Sequence, residues 1–593
     1  LTPVAVLLPL GLLSGVPGAF FQPLAITMSV ALVVSLALAL SFTPALATVM
    51  ETGAPMRERG GPGDRVAAWL ARAYARRMQW TLRHAWLTLG VCVAVASLPF
   101  LVYGSIESGF IPEMDEGAFV LDYWSPPGTS LDETTRLLAT VDDILQKTPE
   151  VASFSRRTGS ELGFFLTETN RGDYAIRLHS TRKRDIESIM DAVRDQIHAR
   201  LPGLRVEFVQ IMQDMIGDLS GNPNPVEVKL FGSNQQVLQD AARRVNALVG
   251  GVPGIVDQFD GITEIGPTFE VNVDEREARL AGLSADAIQR WLDTATTGSV
   301  VGQVLESDRA IPLRLRYPEE FRAALDRITD MTLIDGHGRA VALQSLARLR
   351  PGPVAVQRTR ENLRQLVRLT ARLSGREIGS ALHDIQEALH RNFALPPGVS
   401  IEYGGLYASQ QKAFAELLLV FGASIACVLA LLLVEFGSLA AALAIVVGSI
   451  LALSGSVLSL WITGSLLNVS SIIGMIMVVG IVAKNGILLL DFARREYAVS
   501  GDRRDALIRA GAVRLRPILM TSLAAMAGLA PLALGIGAGS QMQQPLAIAI
   551  LGGVSLSMIF SLLAIPVIDF LLAKEPDGSE PSGSPDASVD RRG

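Results

Sequence analysis

Between residues 414 and 573, five apolar runs follow one another with hardly a polar break: 414–434, 439–463, 469–491, 515–534 and 545–573. About 20 apolar residues suffice to cross the hydrocarbon core of a bilayer. A partial run at 1–13 and full runs at 26–49 and 86–103 precede them, giving eight spans. Composition agrees: 49% of the 593 residues are hydrophobic, too apolar for a chain of this size in water. The net charge of −6 argues against a nucleic-acid partner. Cys92 and Cys427 lie in separate apolar runs, which disfavours a disulfide or a thiolate metal centre. No nucleophile elbow, phosphate loop or metal-ligand spacing supports an enzyme, and no cofactor is expected.

The runs contain a repeat. The pentapeptide QPLAI occupies 22–26 and again 544–548, an offset of 522. Without any gap, the same offset lays Pro9 on Pro531, Gly15 on Gly537, Ser35 on Ser557 and Pro44 on Pro566. Matched Pro and Gly positions carry weight because they fix kinks and close backbone approaches. Both copies open a span running in the same direction. The pattern is a parallel duplication with six spans per unit and its axis along the membrane normal.

Arginine sets the orientation. Arg57, Arg59, Arg65, Arg72, Arg76, Arg77 and Arg83 crowd one inter-span segment; Arg494, Arg495, Arg503, Arg504, Arg509 and Arg514 crowd another. Both segments are expected on the cytoplasmic side. The 109–410 block then lies outside, in the periplasm of a bacterium. Its patterns read β-α-β-β-α-β twice, as two ferredoxin-like modules at about 116–210 and 225–403, with an insertion at about 300–352. "TFEVNVD" is expected to be a strand of the second module. The remaining divisions are membrane helices at 1–50, an amphipathic cytoplasmic linker at 51–85, a span at 86–108, membrane helices at 411–573 and a disordered tail at 574–593. The chain starts inside an apolar run without Met or signal peptide, and it reads as the C-terminal portion of something longer.

"GIVAKNGILLLDF" places Lys484 inside a span, flanked by Val, Ile and Leu. A mid-helix Lys costs roughly 2.5–3.5 kcal/mol to insert, and such residues are usually functional. The competing reading is a lysine stem reaching to the interface. A buried ammonium needs a carboxylate, yet no acid stands deep in a span: Glu416, Glu435 and Asp491 all lie near span ends. By the offset, the helix equivalent to that of Lys484 would lie upstream of Leu1 and should supply the acid. In "RLRPILMTSLAAMAGLAPLAL", Arg514 and Arg516 stand at a helix mouth and Thr521 lies further in, free either to bond across helices or to bond back to its own.

"AKNGILLLDFA" followed by "RLRPILMTSLAAMAGLAPLALGIGAGS" resembles the tenth and eleventh membrane helices of the resistance-nodulation-division (RND) efflux transporters. "FIPEMDEGAFVLDYWSPPGTSLDET", "EFGSLAAALAIVVGSI" and "FTPAL" resemble other landmarks of that family. The resemblance implies an α-helical bundle of twelve helices, of which the fifth to twelfth are present, with periplasmic porter modules and a docking insert. It implies an inner-membrane, proton-driven homotrimer working with a periplasmic adaptor and a TolC-type outer-membrane channel. It puts the proton relay on Lys484, Arg514 and Thr521, with Asn485 beside them, and places the relay acids on a fourth helix not in this sequence.

Substrate is open between two branches. Met212 and Met215 in "QIMQDMIGDLSG" fit a soft-metal exporter, or merely fill gaps in a core. Phe164 and Phe165 in "ELGFFLTETN" suit an apolar pocket, and the histidines do not cluster. The expectation is an organic, drug-like substrate, with heavy-metal cations as the alternative. A protein-export or lipid-handling role on the same helical repeat is the reading of another class.

Overall fold

The computed structural model describes residues 2–50 and 62–572, except 111, 113, 162–164, 221–223, 265, 267, 323–324, 336, 353–355 and 538. The expected tail at 574–593 and the first part of the expected linker, 51–61, therefore lie outside the described residues. Among those described, seven helices are long and apolar enough to cross a membrane: Gly15–Val49, Ala85–Val102, Leu406–Phe436, Leu439–Thr463, Val469–Ser500, Arg503–Ala533 and Gln544–Leu572. A shorter apolar helix, Thr2–Leu12, precedes them.

Three of these helices form the heart of the bundle. Small residues let them approach closely. A Cβ on Gly455 would fall 2.3 Å from the Gly552 carbonyl oxygen, and one on Gly552 would fall 2.2 Å from that of Gly455. The Ser459 hydroxyl donates to the Ile548 carbonyl at 2.9 Å and ties the same pair. The Val469–Ser500 helix packs on both. It starts with a capping box between Asn468 and Ser471 and stops at Gly501, whose φ of 68° suits a residue without Cβ.

The repeat reappears as geometry. Gln22 Nε2 donates to the Gly11 carbonyl at 2.7 Å, and Gln544 Nε2 donates to the Ala533 carbonyl at 3.0 Å. Leu13 N–H bonds Leu10 O, and Gly535 N–H bonds Leu532 O. Gly15 and Gly537 both take positive φ. Each donor, acceptor and glycine is displaced by the same 522 positions.

Outside the bundle stand a four-stranded sheet and a five-stranded one that share the same order of four strands, the fifth being the short Thr359–Glu361 beside 364–373. The first runs 151–158, 171–178, 118–124, 205–210, with every neighbouring pair antiparallel. Its helices, Leu131–Lys147 and Ile186–Arg200, cover one face over a core of Phe119, Leu121, Tyr123, Tyr174 and Ile176. Ser130 and Asp185 cap these helices through the backbone N–H of Glu133 and Ser188. The second sheet runs 255–259, 364–373, 226–231, 400–404, with helices Gln235–Val249 and Ile378–Asn392 on one face.

One strand expectation is corrected. "TFEVNVD" does not join the second module. Phe269–Val273 pairs with Ala347–Pro351 in a separate two-stranded sheet, so the insertion starts well before 300. The module's own strand is Ile255–Phe259. It escaped pattern reading because Asp257 sits at φ 48° and the pairing with 364–373 slips between Thr370 and Arg372, which destroys the alternation.

Candidate functional site

Lys484 lies half-way along the Val469–Ser500 helix and opens onto a cavity of about 250 Å³. Val6 and Leu7 of the first short helix, Met28, Gly480, Asn485, Thr521 and Ser522 line it with the lysine. Gly480 is needed where the first helix leans in: a Cβ there would be 3.1 Å from Val6 Cγ2. The Asn485 side-chain amide nitrogen and the Ser522 hydroxyl are buried without a hydrogen-bond partner. No described Asp or Glu comes within ion-pair distance of the Lys484 ammonium. The cavity is thus a largely apolar slot with a few polar groups around one lysine, roomy enough for a side chain or several waters.

The structure brings Lys484, Asn485 and Thr521 together. Thr521 does not bond across helices; its hydroxyl donates back to Ile518 O at 3.2 Å. Arg514 is two turns from Thr521 on the same helix face, outside the cavity lining. Its guanidinium lies 5.0 Å from the Phe492 ring centroid, and its Nε is buried without a partner. One acid missed in the sequence is Asp569, buried near the end of the last span and held by Arg503 at 2.7 Å. It lies four residues from the end of the 545–573 run, where an acid is not anomalous.

A second cluster lies on the sheet of the first module. Register places Asp122 directly between Asp173 and Glu207. Because Phe119, Leu121 and Tyr123 point into the helix-covered core, these three acids share the opposite face. The outer two are neutralised. Arg157 binds Asp173 through two bonds, at 2.6 and 2.8 Å, and Arg372 of the second module binds Glu207 at 2.6 Å. Asp122 has no ion-pair partner among the described residues. Burial pushes its carboxyl up to about 8, and Glu207, Asp214, Asp173 and Glu161 add to the rise. Near neutral pH it carries a proton that a cation could displace. Among the described residues, no three His, Cys, Asp or Glu side chains already converge on a metal position.

Met212 and Met215 sit on the Ile211–Ser220 helix beside this row. Met212 packs against the membrane-helix core, while its N–H donates to Glu116 at 2.9 Å. Met215 is 54% exposed. Phe165 lies on a short strand opposite Glu161, and Phe164 lies outside the described residues. The acid row went unnoticed because its members are about 50 and 30 residues apart in sequence; only the sheet register aligns them.

Comparisons with known proteins fit this geometry. The family model of the AcrB/AcrD/AcrF family matches residues 1–573. The cobalt-zinc-cadmium resistance protein CzcA of Cupriavidus metallidurans is 29% identical, over 98% of this chain and 55% of its own length. The nickel and cobalt resistance protein CnrA of the same organism is 27% identical, over 97% of this chain and 54% of its own. A crystal structure of a heavy metal efflux pump superposes with a TM-score of 0.82 at 27% identity, covering 96% of this chain and 57% of that one. The chain spans about half the length of the curated relatives it matches. With its apolar helices, its mixed α/β block and a family match along nearly all its length, this chain belongs to the AcrB/AcrD/AcrF family of RND efflux permeases, whose members are transporters.

Proposed function

We propose that the chain forms part of a proton-driven exporter of heavy-metal cations, with Asp122 at a cation transit site and Lys484 in the proton relay. The observation that carries the substrate reading is the carboxylate row, in which the one unpaired acid holds a proton. Hard and borderline divalent cations favour carboxylate oxygen. A cation arriving at Asp122 would displace its proton and find Asp173 and Glu207 beside it. The relatives above, named for cobalt, zinc, cadmium and nickel, support this reading over the organic substrate expected from sequence. The methionines support it less, since Met212 is spent on packing.

For the relay, the supporting observation is the cavity where Lys484, Asn485 and Thr521 meet. The resemblance assigns the relay acids to a helix whose residues are not in this sequence. An ionised acid entering the cavity would pair with Lys484, and its protonation would weaken that attraction and free the helix to shift. Each proton crossing 100 mV releases about 2.3 kcal/mol. Arg514, outside the cavity, would act from three turns inside the Arg503–Ala533 helix, two turns before Thr521. The repeated glutamine bonds support the six-plus-six duplication, and the two sheets of order 2-3-1-4 support ferredoxin-like porter modules. An inner-membrane site with the modules in the periplasm, a homotrimer, an adaptor and an outer-membrane channel complete the reading.

The test is tolerance in cells carrying a transport-competent permease with Asp122→Asn. Zinc, cobalt and cadmium tolerance should fall while tolerance of cationic dyes and detergents stays unchanged. Loss of dye tolerance with metal tolerance intact would favour the organic substrate.

A further inference from the structure

The Pro62–Arg83 helix runs directly into the Ala85–Val102 span and has two unlike faces. On one, Tyr74, Met78 and Leu82 follow at four-residue spacing and are buried. The Tyr74 hydroxyl donates to the Leu562 carbonyl at 2.9 Å, within the π-helical turn Phe560–Ala564 of the last span. A Cβ on Gly511 would come 2.0 Å from that hydroxyl, so Tyr74 also presses against the Arg503–Ala533 helix. These contacts pin the helix and fix its other face outward.

That other face carries Arg65, Trp69, Arg72, Arg76, Trp80 and Arg83, at i, i+4, i+7, i+11, i+15 and i+18, a single helical stripe. All six are exposed, Trp69 by 61% and Trp80 by 53%. None of the four arginines makes an ion pair among the described residues. Fixed cationic charge interleaved with indoles suits the headgroup layer of a bilayer: the rings sit at the apolar boundary and guanidinium binds phosphate oxygens in pairs. Only His84 separates the helix from the next span, and the 76% exposed Trp86 continues the aromatic line.

We propose that this stripe is a binding surface for anionic phospholipid headgroups, with phosphatidylglycerol as the probe. A lipid is favoured over a protein or nucleic acid because the stripe abuts a membrane span and offers interfacial aromatics together with uncompensated charge. The proposal depends on neither the substrate nor the relay.

The chain is placed in nanodiscs of equal phosphatidylglycerol and phosphatidylcholine and released into native mass spectrometry, which counts retained lipids. Phosphatidylglycerol should be retained preferentially. The pair Arg72→Gln and Arg76→Gln should lower that preference roughly tenfold, since each arginine at a charged surface is worth about a fivefold factor before salt screening. Arg72→Lys with Arg76→Lys, keeping charge, should retain most of it, and Arg243→Gln on the exposed face of a porter helix should change nothing. An unchanged preference in the glutamine pair overturns the proposal. So does a preference abolished by millimolar glycerol phosphate, which would mark a site for free phosphate.

Discussion

The lysine cavity and the carboxylate row pose opposite electrostatic problems. In the cavity a single ammonium stands among apolar side chains with two unsatisfied polar groups and no described acid within reach. In the row three carboxylates crowd one sheet face, two are matched by arginines, and the third stays neutral by keeping its proton. A guanidinium stays charged whatever its surroundings, so it can serve as permanent compensation. A lysine or a carboxylic acid can change state, and each of these two sites holds one such group, Lys484 or Asp122, with no ion-pair partner among the described residues. The difference teaches where protons can move: charge that is fully paired holds the architecture, and charge left over is available for work.

The comparison breaks most severely at Lys484. Lys484→Ala in a transport-competent permease should lower efflux at least a hundredfold, while expression level and oligomeric state on native gels stay unchanged. Efflux within a factor of two of the parent would remove the lysine from the mechanism.

Next in size is Arg372→Ala. The Arg372–Glu207 pair bridges the two modules with side chains only 10% and 13% exposed. Removing Arg372 leaves the largely buried Glu207 only the longer 3.8 Å pair with Arg205, at a cost of up to about 3 kcal/mol. Loss of cooperative unfolding between modules, read by hydrogen exchange in the 205–210 and 364–373 strands, is the expected result. An unchanged exchange pattern would mean that the bridge is dispensable.

Asp122→Asn sharpens the comparison through pH. The folded-state pKa of Asp122, about 8, stands above the unfolded value of about 3.9. The folded chain therefore holds the extra proton between these values. The stability this contributes is fully present in acid and is lost as pH rises through about 8. The Asn variant lacks that loss and should melt higher than the parent at pH 9, with the two converging near pH 4. Parallel melting curves across the range would show that Asp122 ionises as an ordinary carboxyl.

Smallest is the repeat. Gln544→Ala deletes one side-chain bond to a carbonyl, worth about 1 kcal/mol, and Gln22→Ala deletes the matching bond together with a longer one to the Leu13 carbonyl at 3.4 Å. In an apolar 18-residue stretch of the span opened by Gln544, 61% of residues are buried within the chain, against 6% in that of the span near the N-terminus, so Gln544→Ala should lower the melting temperature more. Equal effects would show that burial of the helix adds nothing to the shared turn.

Much of this architecture was legible in sequence because its signals are local. Apolar runs announced the spans, and amphipathic spacing in "SLDETTRLLATVDDILQK" announced the Leu131–Lys147 helix. A gapless offset announced paired turns whose hydrogen bonds then recurred at the same displacement. Lys484 was visible because a cation in an apolar helix is anomalous wherever it occurs. What stayed hidden depends on distant partners. Phe269–Val273 alternates as a strand should, and nothing local says that Ala347–Pro351 rather than the second module receives it. Asp122, Asp173 and Glu207 are ordinary acids until register lines them up. Thr521 could bond either way, and only the helix geometry turned it back on Ile518.

The central claim is that Asp122 holds a proton which a cation displaces. Its most direct test is proton release on adding zinc to the purified chain in weakly buffered detergent solution. At pH 7 the parent should release about one proton more per bound cation than Asp122→Asn, and the excess should vanish by pH 9. Equal release from parent and variant at pH 7 would contradict the account.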